Sequence, residues 1–400
     1  MHCFCSICGS TDFEQLADFG LSPIAGDYLS SSTPRHQYPL NVVICKSCCH
    51  AELSYKLSPD LLYGPGFSYV SRSSPGLLEY FSFIVNYTKK YLTSSSDSAW
   101  LDIGSNDSSL LDLAYKSGFI TYGIEPSSAY IERAASPHEI INSYADSLAF
   151  KAFRGRKFDV ISVLNTLSNT LDPLDLFKKL SENLSSNGIL VVSTGLLDDI
   201  CSGNIDYIYH EHNHYFSVSS LSALANASNL QLVDVQFNPQ KGGSVLSVFS
   251  TIGRYPLHDP GSLIASDSRG YIDSYNASLS RFRSTIQLSV LPLLTRADSF
   301  DHVCVFGASQ SVTSLLLKAH IPDQFSFYVD DNPAKLFTYS PLANRIVIST
   351  TLLVSLLESG KRILCIPGAW RFVDQWYRRW NLKNHPNLEV VTFKLFELNE

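Results

Sequence analysis

From about residue 99 onward the apolar positions come in short runs separated by stretches with helical spacing. Ala99-Trp100-Leu101-Asp102-Ile103 closes on the turn Gly104-Ser105-Asn106-Asp107, and Ser108 to Tyr115 then carries apolar residues three and four apart. A short apolar run entering a helix through glycine predicts the opening βα unit of a doubly wound sheet. Ile120 to Ile124 predicts the next strand and ends at Glu125; Phe158 to Leu164 predicts a third, Pro173 to Leu184 a helix, and Gly188 to Ser193 a further strand. Alternation of this kind predicts a mostly parallel sheet. The pattern restarts near the end of the chain. Val303 to Phe306 leads into Gly307-Ala308-Ser309, Val312 to Lys318 is helix-like, and a strand from Phe325 ends in Asp330-Asp331, which predicts a second doubly wound α/β domain.

Length and composition sharpen this outline. The 400 residues allow two to four domains of about 100–200 residues. Ser94 to Ser98 is a serine-rich stretch of linker character. The expected limits are an N-terminal domain over 1–93, a central domain over 94–255 and a C-terminal domain over 256–400. With 45% hydrophobic and 17% charged residues the chain is a packed protein and not a charge-driven disordered one. A net charge of −7 offers no basic excess for a phosphate backbone, so nucleic acid is not an expected partner. No run reaches the roughly 18 apolar residues of a membrane helix, and Met1 to Cys5 does not open a secretory signal. A cytoplasmic protein without membrane contact is the expectation.

Six of the nine cysteines lie in the first 49 residues. Cys5-Ser6-Ile7-Cys8 and Cys45-Lys46-Ser47-Cys48 are two CxxC knuckles, each placing two thiolates on one side of a tight loop. Two such loops supply the four sulfurs of a closed tetrahedral zinc site, which is structural because no coordination position stays open. The segment from Leu21 to Leu40 must fold back to bring the knuckles together. Cys3, Cys49 and His50 are spare ligands, and reduced buried cysteines are the plainer alternative.

Two further groups carry chemistry. Gly104 permits close approach of backbone to a ligand at a helix N-terminus, and Glu125 at the next strand end suits a grip on ribose hydroxyls. Asn165 follows the third strand at the same sheet edge. The turn lacks a GxGxxG fingerprint, so S-adenosylmethionine suits the crevice better than a nicotinamide dinucleotide. Tyr209-His210-Glu211-His212 gathers a general base and hydrogen-bonding groups within four residues. His210, His212 and His214 also alternate as on one strand face, so packing and metal-binding roles stay open. Gly242 and Gly243 allow close backbone approach or a bulge.

Taken in order, the CxxC pair, Leu101 to Asp107, Gly123-Ile124-Glu125-Pro126, Tyr209 to His212, Tyr215-Phe216-Ser217, Gly242-Gly243-Ser244 and Asp330 to Lys335 resemble the sugar C-methyltransferases. These are S-adenosylmethionine-dependent enzymes acting on nucleotide-linked 4-keto-deoxysugars. The resemblance implies an N-terminal zinc domain, a central Rossmann-like class I methyltransferase domain and a C-terminal α/β domain that helps hold the sugar nucleotide. It implies His212 as the base that forms an enolate, Glu211 as its partner or a substrate contact, and Tyr209 and Tyr69 as orienting groups. The implied cofactor contacts are Asp102, Gly104, Ser105, Asn106 and Glu125, and Asn165 joins them by its place at the sheet's carboxyl edge. Five places depart from the family pattern: Ser108 for glycine, Asn169 for an active-site histidine, Lys241 for histidine, the turn Gly307-Ala308-Ser309-Gln310-Ser311 without its lysine, and Arg371 for asparagine. Asn169 can donate a hydrogen bond to a ketone or enolate but cannot take a proton, leaving the base role to His212. O- or N-methylation, and a non-catalytic relative that binds a sugar nucleotide, are the rival readings.

Overall fold

Alternate residues of a strand face opposite sides of its sheet, and the strand Ala99–Ile103 shows what that does here. Trp100 packs into a core on one face while Leu101 and Ile103 enter a separate core on the other. Both faces are therefore covered, as a parallel sheet requires. The computed structural model describes residues 4–63, 70–73, 76–93, 97–132, 137–238, 243–256, 267–321 and 325–391.

The strands are β1 (Phe13–Ser22), β2 (Tyr38–Cys45), β3 (Ala51–Leu53), β4 (Ala99–Ile103), β5 (Ile120–Ile124), β6 (Glu139–Ile141), β7 (Phe158–Leu164) and β8 (Leu184–Thr194). They continue as β9 (His214–Tyr215), β10 (Leu230–Asn238), β11 (Ser244–Thr251), β12 (His302–Phe306), β13 (Phe327–Val329), β14 (Val347–Ile348), β15 (Ile363–Ile366) and β16 (Leu388–Val390). Three sheets result. The central one has the order β10-β11-β8-β7-β4-β5-β6. Its pairs from β8 through β6 are parallel, and β11 runs antiparallel to both β8 and β10. The chain winds outward from β4 to β6 in one direction and from β7 to β8 in the other. That reversal opens a crevice at the carboxyl ends of β4 and β7, where open α/β sheets bind ligands.

The C-terminal sheet, β14-β13-β12-β15-β16, is wholly parallel, as its sequence pattern predicts. The N-terminal sheet is antiparallel, with the order β1-β2-β3-β9. Here the chain from Leu21 to Leu40 does fold back, since β1 and β2 pair from Phe13 against Cys45 to Ser22 against Tyr38. Its last strand comes from far downstream, directly after the Tyr209–His212 cluster. Conversely, the helix Leu77–Thr88 packs on the central sheet together with Trp100 and Val160. One core cluster joins Val42 and Ile44 of the N-terminal sheet to Tyr275 of the helix Ser268–Thr285 and to Val305 and Tyr328 of the C-terminal sheet. Both flanking units are thereby packed around the segment that carries the histidines. No helix among the described residues is long and apolar enough to cross a membrane.

Candidate functional site

The two CxxC knuckles meet. Cys5 Sγ lies 3.7 Å from Cys48 Sγ and Cys8 Sγ 3.6 Å from Cys45 Sγ, and all four ligand atoms fall within 4.8 Å of one another. A tetrahedron with Zn–S bonds of about 2.3 Å has edges of about 3.8 Å, so the cage fits zinc without rearrangement. Cys3 lies outside the described residues, and Cys49 and His50 do not join the four. Beside the cage, Glu52 accepts from the Ser6 N–H at 3.0 Å and from Lys56 Nζ at 2.7 Å, while His50 Nε2 and His214 Nδ1 share a hydrogen bond of 2.9 Å. A buried polar network thus links the first knuckle to the strand that follows the histidine cluster.

At the carboxyl edge of the central sheet lies a cavity of about 510 Å³, lined by Asp102, Gly104, Ser105, Asn106, Glu125, Asn165 and Asn169 among others. All six cofactor positions expected from the sequence are in its wall. The backbone explains the turn: Gly104 adopts φ +73, and a Cβ placed there would lie 2.6 Å from Thr166 Oγ1. Asn106, Ser108 and Asn165 also have positive φ, so the rim is built from residues in a conformation that L side chains resist. The Glu125 carboxylate accepts from the Asn106 N–H at 2.8 Å through Oε2 and from the Ser127 N–H at 2.9 Å through Oε1. Each oxygen keeps a lone pair for hydroxyl donors. Burial pushes the Asp102 carboxyl up to about 7, with the Glu125 charge adding to the shift and the Ser162 hydroxyl, at 2.6 Å, opposing it.

His212 is half-buried and is not among the residues that line the cavity. Its Nδ1 lies 2.9 Å from the Tyr207 carbonyl, which only an N–H can satisfy, so Nε2 carries the lone pair and faces the Tyr209 hydroxyl at 3.1 Å. The two rings pack with centroids 4.2 Å apart. Burial pushes the His212 pKa down to about 4, against the Tyr207 carbonyl, and holds the Tyr209 phenol well above 10. Next to this pair, Asn213 Nδ2 donates to the backbone carbonyls of Asn169 at 3.0 Å and Thr170 at 3.2 Å, both in the cavity wall. Tyr63, also in that wall, donates through its hydroxyl to the Glu211 carbonyl at 3.0 Å. The histidine segment and the cavity are thereby stitched together.

Glu211 itself does not serve as the partner of His212. Its side chain turns away, Oε1 accepting from the Gly26 N–H at 2.9 Å, and a Cβ on Gly26 would lie 2.6 Å from that oxygen and 3.3 Å from Gln310 Nε2. Burial pushes its carboxyl up to about 7, opposed by backbone N–H groups and the Lys335 charge. The supposed strand face of alternating histidines is likewise absent. Ile205–Tyr207 is a 3-10 turn and only His214–Tyr215 is strand, so His210 reaches the Pro39 carbonyl while His214 meets His50. Tyr69, Lys241 and Gly242 lie outside the described residues, although Ser71 N donates to Asn106 Oδ1 and Arg72 N to Asp107 Oδ2 beside the glycine turn. A Cβ on Gly243, at φ +109, would lie 2.5 Å from Asp199 Oδ2.

Sequence reasoning missed Thr166, Ser162, Tyr63, Asn213 and the Tyr207 carbonyl. Ser162 alone had a signal, a hydroxyl inside the apolar run Val160 to Leu164. The others act through backbone atoms or through contacts across the chain that no local pattern reveals.

Comparison with known proteins agrees with this geometry. Residues 79–235 match the family described as "Methyltransferase domain", and residues 5–63 match one described as "Putative zinc binding domain". The chain therefore carries a Rossmann-like methyltransferase domain behind an N-terminal zinc-binding module. Among curated proteins, C-methyltransferase NovU of Streptomyces niveus is 24% identical over 256 residues, 60% of this chain and 59% of that protein. The match thus spans less than two thirds of the relative's length. Solved structures that match part of the chain include an S-adenosylmethionine-dependent methyltransferase of Clostridium acetobutylicum (12% identity, TM-score 0.37, 44% of this chain and 92% of that one). Another is the CcbJ methyltransferase of Streptomyces caelestis (13% identity, TM-score 0.36, 45% of this chain and 94% of that one).

Proposed function

We propose that the protein transfers the methyl group of S-adenosylmethionine to a carbon beside the ketone of a nucleotide-linked 4-keto-deoxysugar. The observation that carries this reading is the fixed tautomer of His212, with Nδ1–H held by the Tyr207 carbonyl and Nε2 presented to Tyr209. The 24% identity to C-methyltransferase NovU supports carbon, and not oxygen or nitrogen, as the acceptor. When bound, the cofactor supplies an electrophilic methyl group on a sulfonium. Its adenosine end suits the pocket of Gly104, Asn106 and Glu125, with Asp102 and Asn165 toward the reacting end.

The work of the chain's own residues follows from elementary chemistry. His212 Nε2 takes the α proton, and the C–H electron pair passes into the enolate. The Tyr209 O–H must first turn from Nε2 to free that lone pair for the α proton, and it then donates to the developing enolate oxygen. A base with a pKa near 4 is a weak match for an α proton, so proton abstraction depends on that donor and on exclusion of water. Asn169 lines the cavity, and in this reading its amide donates to the sugar ketone. Zinc at Cys5, Cys8, Cys45 and Cys48 holds the sheet that β9 completes and has no step in the transfer.

Titration of the purified protein with S-adenosylmethionine in a calorimeter, followed by mass spectrometry of a nucleotide-linked 4-keto-deoxysugar incubated with both, tests the reading. Binding and a gain of one methyl on carbon support it. Methylation on oxygen or nitrogen, or absence of cofactor binding, overturns it.

A further inference from the structure

The carboxyl edge of the C-terminal sheet is where a doubly wound fold would take a ligand. Here its glycine turn is closed by the chain itself. A Cβ on Gly307 would lie 2.4 Å from the Ala369 Cβ, and Asp330 Oδ2 accepts the Ala308 N–H at 2.7 Å. Side chains of this unit reach out to the segment carrying the histidine cluster.

They reach it at two points. Arg371 forks onto Asp206, NH1 to Oδ2 at 2.6 Å and NH2 to Oδ1 at 3.0 Å, with NH2 also donating to Asn204 Oδ1 at 2.7 Å. Its guanidinium lies over the rings of Tyr207, at 5.1 Å, and Trp370, at 4.2 Å. From the helix Gln310–Ala319, the fully buried Lys318 donates to the Ile208 carbonyl at 2.8 Å, and Ser314 Oγ donates to the same oxygen at 2.6 Å. Residues 206 and 208 are therefore both held. Between them stands Tyr207, whose carbonyl receives His212 Nδ1–H and whose ring lies parallel to the imidazole at 6.2 Å between centroids.

We propose that Arg371 and Lys318 are positioning residues: the C-terminal domain brackets Tyr207 through Asp206 and the Ile208 carbonyl, and so fixes the tautomer and orientation of His212. The proposal rests on the reading of His212 as the base. It also gives the Arg371 departure a physical partner, because a bidentate guanidinium needs the buried carboxylate that Asp206 supplies. Loss of one grip lets the Tyr207 carbonyl turn away from Nδ1. A misplacement of about 1 Å in such a group costs roughly a hundredfold in rate.

The test uses the full-length zinc-loaded protein. In 15N-histidine-labelled wild type, His212 is expected as the Nδ1–H form in ring nitrogen–proton correlation spectra, assigned by its loss in His212→Asn. Lys318→Met should keep folding and S-adenosylmethionine affinity within about twofold, because the apolar stem is kept and no buried amine is left unpaired. It should nonetheless shift His212 toward a mixture of tautomers and lower kcat roughly tenfold with little change in KM. Arg371→Met should do the same more strongly, and Arg371→Lys should recover only part, since an ammonium cannot make the fork. Unchanged His212 ring signals with kcat within twofold in both Lys318→Met and Arg371→Lys would overturn the bracket. The ring spectra are independent of turnover: if His212→Asn keeps full activity, the base assignment fails while the tautomer result still decides whether the bracket exists.

Discussion

Ser108 follows the glycine turn of the central sheet, and its backbone sits at φ 62, ψ 18. A left-handed backbone costs a residue with a Cβ about 1–2 kcal/mol. The side chain is also fully buried, with an Oγ that takes no hydrogen-bond partner among the described residues, an arrangement that costs a further ~1–3 kcal/mol. Ser108→Gly removes both terms. Against them stand about 0.5–1 kcal/mol of extra chain entropy in the unfolded state and a similar amount for the small void. The balance is stabilisation by about 1–2 kcal/mol, or a rise in Tm of roughly 2–6 °C for a domain of this size. Differential scanning calorimetry of zinc-loaded protein reads it. Ser108→Ala, which keeps the strained backbone and loses only the hydroxyl, should gain less. A lower Tm for Ser108→Gly, or a larger gain for Ser108→Ala, would refute the reasoning.

Other consequences are equally open to measurement. Gly104→Ala drives a Cβ into Thr166 at positive φ and should destabilise by about 2–4 kcal/mol while weakening S-adenosylmethionine binding more than tenfold by calorimetry. Because burial lowers the His212 pKa to about 4 and the neutral ring is the base, kcat/KM should rise with pH through about 4 and then level off; an acid limb near 6.5 would show a solvated histidine instead. A second limb near 7 that disappears in Glu211→Gln would belong to the buried Glu211 carboxyl. Stripping zinc with a chelator should release protection from hydrogen exchange in both Tyr38–Leu53 and His214–Tyr215, since β9 is held by β3, and activity should fall in step with zinc content.

The parts legible in the sequence were those set by local rules. Strand period and glycine turns placed both doubly wound sheets, and the CxxC spacing gathered four thiols that the fold brings within zinc distance. The cavity wall was legible because Asp102, Glu125 and Asn165 sit at strand ends, a position topology dictates. What escaped was decided by tertiary contact. The alternation of His210, His212 and His214 looks like a strand, yet each side chain finds a different partner, Pro39, Tyr207 with Tyr209, and His50. Glu211 adjoins His212 in sequence but turns toward Gly26, nearly two hundred positions away along the chain. Likewise Arg371 looks like a loss until Asp206 is seen across from it.

The central claim is that His212 Nε2 removes a proton from carbon. Incubation of a nucleotide-linked 4-keto-deoxysugar in deuterium oxide with the zinc-loaded protein, read by proton NMR at the carbon beside the ketone, tests it most directly. The account predicts exchange that depends on wild-type protein and falls at least a hundredfold in His212→Asn, with S-adenosylmethionine affinity unchanged. Methyl transfer by His212→Asn at the wild-type rate, or exchange that survives the substitution, would contradict it.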